Sequence, residues 1–273
     1  MTVEASPTIH PPILGEDLRA GSSTHRDRLI VAVLVGAAIL LRAPNLGRAY
    51  WVDEGISLGI ASHPLRQIPT LLRHYDGSPP LFYLLLHVWT EVFGTSEVAT
   101  HLLPFVTALA VTPAAYWAGR EVFNRRAGLL AAALASTNPL LNWYSTETRM
   151  YPMMVLFSLI GLTFTVRAVR ARQPWDLVGA VVAATALLYT HNWGLYLVGA
   201  TVVVMVVRAW RSEDRELLRG VLGCSAVVAV LYLPWLPSFV AQANTRRPRG
   251  PYRRHSSTSW STRRQPWAAR QPC

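Results

Sequence analysis

The chain has 273 residues, 51% of them hydrophobic and only 15% charged, with a formal net charge of +11. That composition excludes a disordered chain, and two cysteines, Cys224 and Cys273, supply neither a disulfide framework nor a metal-ligand set. The charge does not mark a nucleic-acid binder: all 26 basic residues are arginine, eight of them between Arg246 and Arg270 where no acid occurs, so residues 1–245 set 18 arginines against 15 acids. A nearly neutral, apolar body reads as an integral membrane protein with the lipid bilayer as its partner and no nucleic acid.

A bilayer core takes about 20 mostly apolar residues in a helix. In chain order, the apolar runs predict transmembrane helices at 28–46, 98–119, 127–144, 150–166, 175–190, 193–208 and 220–240. Residues 1–27 precede them as a cytoplasmic N-terminal tail, 28–240 form the transmembrane module, and 241–273 form a basic tail. The first run has no small-residue cleavage site after it, which predicts a retained anchor. The stretch 79–93 reaches only about 22 Å as a helix and contains His87 and Glu91, so it is expected to lie at the interface or re-enter. That assignment puts 13 arginines inside and five outside, the tail aside, whereas a spanning 79–93 gives four against 14. The positive-inside bias selects the first arrangement. The expected fold is an all-α polytopic membrane protein of about seven transmembrane helices plus an interfacial helical outer loop, 43–97.

On that topology the unusual polar residues gather on the non-cytoplasmic face. Trp51-Val52-Asp53-Glu54 follows the first span. Its two carboxylates read either as first-turn acids of a short helix or as a general base near the bilayer surface. Arg73-His74-Tyr75-Asp76-Gly77-Ser78-Pro79-Pro80 is a loop by its turn and breaker signals. His74 and Asp76 gain interest from sharing a segment and a face with Asp53 and Glu54. In Tyr144-Ser145-Thr146-Glu147-Thr148-Arg149-Met150-Tyr151, the arginine opposes the dipole of the helix that follows. Arg149 therefore either snorkels to lipid headgroups or binds a phosphate with its planar guanidinium. Tyr189-Thr190-His191-Asn192-Trp193 is first a hairpin turn with interfacial aromatics, with His191 as a further lining residue. Walker and Rossmann glycine loops, His-Glu-x-x-His and cysteine-rich metal motifs do not occur, which counts against ATPases and metalloproteases. Mid-span ionisable series and inverted repeats are also missing, which counts against most coupled transporters.

The order of these segments resembles a known family. A first span is followed by Trp-x-Asp-Glu and then by His-Tyr-Asp-Gly-Ser-Pro-Pro-Leu-Phe-Tyr at 74–83. Phe-Gly-Thr-Ser-Glu at 93–97, Gly-Arg-Glu-Val-Phe-Asn-Arg-Arg-Ala-Gly-Leu at 119–129 and Tyr-Ser-Thr-Glu-Thr-Arg-Met-Tyr at 144–151 complete the pattern. Over roughly 28–240 the chain is similar to the membrane-embedded glycosyltransferases of the C superfold. Within them it looks most like the bacterial protein-mannosyltransferase-like and aminoarabinose-transferase-like group related to glycosyltransferase family 39. The resemblance implies inverting transfer of a sugar from a polyprenyl-phosphate donor to a glycan, lipid or protein acceptor at the outer face of the bacterial plasma membrane. It maps the base onto Asp53, with Glu54 as the adjacent acid that orients the acceptor or shares the site. It maps the phosphate-binding cation onto Arg149, with His74 as a weaker candidate, and leaves Asp76 in the loop motif without a role. No cofactor is expected: some relatives use a divalent metal, which Asp53 and Glu54 could hold, but no further oxygen-ligand cluster in the sequence supports one.

Two alternatives stand beside the enzyme: a carrier or flippase for a lipid-linked sugar, and an inactive fragment of such a transferase. The second arises because residues 246–273 are rich in Arg, Pro, Ser, Thr and Trp, lack acids and show no apolar periodicity. They are expected to be an out-of-frame or truncated end, or else a basic tail that binds anionic lipid.

Overall fold

The computed structural model describes residues 14–244, and within them the regular structure is all helix, with no strand. The arginine-rich segment 246–273 lies outside the described residues. The helices are α1 (Leu14–Arg42), α2 (Val52–Ala61), α3 (Ile68–Tyr75), α4 (Leu81–Phe93), α5 (Glu97–Val122), α6 (Arg125–Thr137), α7 (Pro139–Tyr144), α8 (Tyr151–Ala171), α9 (Pro174–Thr190), α10 (Gly194–Arg211), α11 (Arg215–Tyr232) and α12 (Leu236–Asn244).

Each expected apolar run is helical, but three differ from expectation. α1 begins at Leu14, so the helix takes in half of the segment read as an N-terminal tail. The run 127–144 is broken: Asn138 leaves the helical region (ψ 122°) because Pro139 follows it, and its side chain then caps α7 by accepting from the Leu141 amide at 2.9 Å. The run 220–240 bends by 74° between α11 and α12, where Pro234 cannot continue the helical hydrogen-bond ladder. Three described helices are long and apolar enough to cross a membrane, α5, α8 and α10, and a fourth results if bent α11 and α12 count as one. The short 79–93 stretch is the 13-residue α4.

α5 is the centre of the bundle, packed along α6 and α8, and α8 in turn packs along α9. The contact with α6 depends on two glycines. A Cβ on Gly128 would stand 2.6 Å from the Tyr116 carbonyl oxygen, and one on Gly119 would stand 2.9 Å from the Gly128 Cα. Gly128→Leu is therefore expected to destabilise the protein by about 1–3 kcal/mol by forcing α5 and α6 apart. Gly36→Ala, inside α1 and with nothing within 4 Å of the added carbon, should not destabilise and should raise the midpoint slightly through helix propensity. Thermal unfolding in detergent compares the two, and equal midpoints would contradict this packing.

The main apolar core lies beneath the short helices. Ile68 and Leu72 of α3, Phe82, Tyr83 and Leu86 of α4, and Met150 are all buried against one another with Met153, Leu188 and Trp235. The outer flanks of the long helices carry exposed apolar side chains instead, such as Val33 at 70% and Val203 at 61%, as lipid-facing surfaces do. Between α8, α9, α10 and α11 lies an apolar cavity of about 400 Å³, lined by residues from Phe157 to Val228.

Polar side chains collect at the two ends. At one, Arg125 pairs with Asp27 at 2.5 Å, Arg167 with Asp176 at 2.8 Å, and Arg172 with Asp214 at 2.6 Å. These pairs tie the middle of α1 to the start of α6, the end of α8 to the start of α9, and the α8–α9 turn to the α10–α11 turn. α2, α3, the turn after α7 and the α9–α10 turn meet at the opposite end.

Candidate active site

The turn between α7 and α8 is the anchor of that second end. Turns between helices normally sit in solvent, yet every residue from Ser145 to Met150 is buried. Three partners draw it inward. The Thr148 amide donates to Glu54 Oε1 at 2.7 Å. Buried Glu147 stands 3.2 Å from Arg48, whose guanidinium stacks over Trp143 at 4.7 Å. Arg149 enters a pocket of oxygens.

Arg149 is only 8% exposed. Its Nη1 donates to Ser57 Oγ at 3.2 Å and Tyr83 Oη at 3.3 Å, and lies 3.4 Å from Asp76 Oδ2. Tyr83 donates to the same Asp76 oxygen. Arg149 Nε is buried with no hydrogen-bond partner among the described residues, a donor that the described residues leave unmatched.

Asp53 and Glu54 lie in the first turn of α2 and differ in burial. Glu54 is wholly buried: Oε1 accepts from Thr148 and from His101 Nε2, both at 2.7 Å, and Oε2 accepts from the Trp51 amide at 3.2 Å. Burial alone would push its carboxyl up, but hydrogen bonds from His101 and the two amides overcome this and hold it below the usual carboxylate range. Asp53 is partly exposed, and among the described residues its carboxylate has no hydrogen bond. Its backbone carbonyl accepts from Ser57 Oγ at 2.9 Å. A single serine thus joins the Arg149 guanidinium to the backbone of Asp53.

The other expected site residues divide. Asp76 belongs to the cluster as the counter-ion of Arg149. His191 stacks at 6.0 Å on Tyr151, over which Arg149 also lies at 5.9 Å. Burial, then the positive charge of Arg149, lowers the His191 pKa, with Asp76 opposing; its neighbour Asn192 donates to the Gly77 carbonyl at 2.8 Å. His74 is not brought in: it is exposed on α3 and bonds the Thr70 carbonyl of its own helix at 2.8 Å. The adjacent Arg73 turns instead to Ser238 of α12 at 3.0 Å. Glu147 differs from Glu54, since burial raises its carboxyl above the usual range despite Arg48.

Asp53 and Glu54 do not suit a divalent cation. Both oxygens of Glu54 are committed to donors, and among the described residues no three His, Cys, Asp or Glu side chains gather to hold a metal. Four residues of the site went unnoticed in the sequence: Ser57, Tyr83, His101 and Thr148. His101 had one available signal, a titratable ring near the start of a helix whose other charged residues, Glu97, Arg120 and Glu121, sit at its two ends.

A family model described as dolichyl-phosphate-mannose-protein mannosyltransferase matches residues 77–237. The chain belongs to that family. No curated protein matches the chain. As a member of the mannosyltransferase family it is a membrane glycosyltransferase of that general type. The match takes in Tyr83, His101, Arg149 and His191, whereas Asp53, Glu54, Ser57 and Asp76 lie before its first residue. The roles of those earlier residues therefore rest on geometry: they converge on side chains that the family match contains.

Proposed function

We propose that the protein moves a sugar, of the mannose type, from a polyprenyl-phosphate donor to an acceptor hydroxyl, with inversion at the anomeric carbon. The carrying observation is the link from buried Arg149 through Ser57 to Asp53, which sets a cation and an unengaged carboxylate at one end of the bundle. The donor is a lipid, so its phosphate must wait at headgroup depth while its tail stays in hydrocarbon. The apolar cavity, which starts near Phe157 less than two turns into α8, suits such a tail.

In this reading Asp53 accepts the acceptor's hydroxyl proton as the oxygen attacks the anomeric carbon. The bond from that carbon to the phosphate oxygen breaks, and its electron pair leaves with the lipid phosphate. Arg149, shielded from water, stabilises the growing negative charge through its unengaged edge. Asp76 and Tyr83 hold the guanidinium by Nη1 and leave Nε for the phosphate. The acceptor is a glycan, lipid or protein at the same surface.

We further assign seven crossings to the chain, with α1, α6–α7 and α9 spanning in addition to α5, α8, α10 and α11–α12. The sides follow the ion pairs: Arg125, Arg167 and Arg172 mark the cytoplasmic end of a bacterial plasma membrane, and Arg149 the extracytoplasmic end. Reconstituted protein given polyprenyl-phosphate mannose and a hydroxyl acceptor tests the reading. A glycoside of opposite anomeric configuration is expected. Intact donor delivered to the other leaflet, with no glycoside, would make the protein a carrier instead.

A further inference from the structure

Two wholly buried ionisable side chains are costly to fold unless every lone pair and proton is matched. Glu54 and His101, both 0% exposed, are so matched. Glu54 accepts from His101, Thr148 and Trp51. On the far side of the ring, His101 Nδ1 lies 2.7 Å from the Leu46 carbonyl oxygen, so both ring nitrogens face acceptors. A second layer backs the first: Thr148 Oγ1 donates to Thr100 Oγ1 at 3.2 Å, Thr100 meets Tyr50 Oη at 2.8 Å, and the Tyr50 ring stands edge-on to His101 at 5.6 Å. The node joins the segment before α2, the first turn of α5 and the buried turn before α8. Asp53 directly precedes Glu54, and Arg149 directly follows Thr148.

We propose that Glu54 and His101 form a positioning clasp that fixes Asp53 relative to Arg149 and touches neither donor nor acceptor. A Glu54 that oriented the acceptor would need an exposed oxygen, and it has none. A plain cap of α2 would need only the Trp51 amide, yet a histidine 47 positions away completes the set. The other charged groups around the node are Asp53, Glu97 in the first turn of α5, and the Arg48–Glu147 pair. The clasp depends on the proposed transferase reading for its kinetic consequence only.

The test compares Glu54→Gln, His101→Gln, His101→Leu and the double variant Glu54→Gln/His101→Gln in the full-length purified protein. Polyprenyl-phosphate mannose and a hydroxyl acceptor serve as substrates. The amide of His101→Gln replaces the Nε2 donor, so it should lower kcat about tenfold, and Glu54→Gln and His101→Leu about a hundredfold, with both KM values within about twofold of wild type. The double variant should lose no more than Glu54→Gln alone, because the pair acts as a unit. A tenfold rise in acceptor KM for Glu54→Gln, or multiplicative losses in the double variant, would overturn the proposal. Thermal midpoints of wild type, the two glutamine singles and the double variant, measured without substrate, give an independent arm. Non-additive shifts are expected, and additive ones would also overturn the clasp. An inert wild type with non-additive midpoints would instead refute the transferase reading and leave the clasp standing.

Discussion

Asp53→Asn is expected to reduce transfer to below about 1% of wild type while leaving folding and donor binding intact, the scale of loss set by removal of a general base. Asparagine has the same shape but cannot take up the acceptor's proton. The substitution is clean because the Asp53 carboxylate has no hydrogen bond among the described residues, and its contribution to the fold, the carbonyl bonded by Ser57, belongs to the backbone. Glu54 offers no such separation, since three donors depend on its carboxylate. Turnover, donor binding and thermal midpoint of purified Asp53→Asn decide the matter. Normal turnover would remove Asp53 from the mechanism.

Arg149→Ala should impair use of the lipid-phosphate donor, with kcat down by about a hundredfold or more and donor KM raised, while acceptor KM changes little. The loss has two sources. The leaving phosphate loses its cation, and Asp76, 3.4 Å from Nη1, loses its counter-ion and remains as a negative charge where the phosphate must sit. Arg149→Lys should recover only part of the rate, because an ammonium cannot engage Ser57, Tyr83 and a phosphate from separate edges. Steady-state kinetics with the donor as varied substrate check this, and unchanged donor KM and kcat would count against it.

Much of this architecture was legible in the sequence because it follows from local rules. Apolar run length located each long helix, and turn signals located the turns before α4, α8 and α10, although Arg73, His74 and Tyr75, read as loop, belong to α3 because the helix runs on to the Asp76-Gly77 break. The break at Asn138-Pro139 was written in the chain but hidden by an apolar run of spanning length. The site was legible only in part. Asp53, Asp76 and Arg149 stood out as charges that a membrane protein has little structural reason to place beside its helices. Nothing local could reveal that Glu54 and His101 meet, or that Ser57 reaches Arg149 across 92 positions, because such contacts are set by how α2 docks on α5 and the turn before α8. His74 misled for the converse reason. It shares a segment with Asp76, yet its direction on α3 carries it outward to Thr70 of its own helix.

The chemistry claimed for this end of the bundle makes one product that no carrier and no binding protein makes. Free polyprenyl phosphate, quantified against glycoside formed by the purified protein, should appear one for one with transferred sugar and should be absent from Asp53→Asn. Sugar delivered without released polyprenyl phosphate, or release that Asp53→Asn sustains at the wild-type rate, would contradict the account.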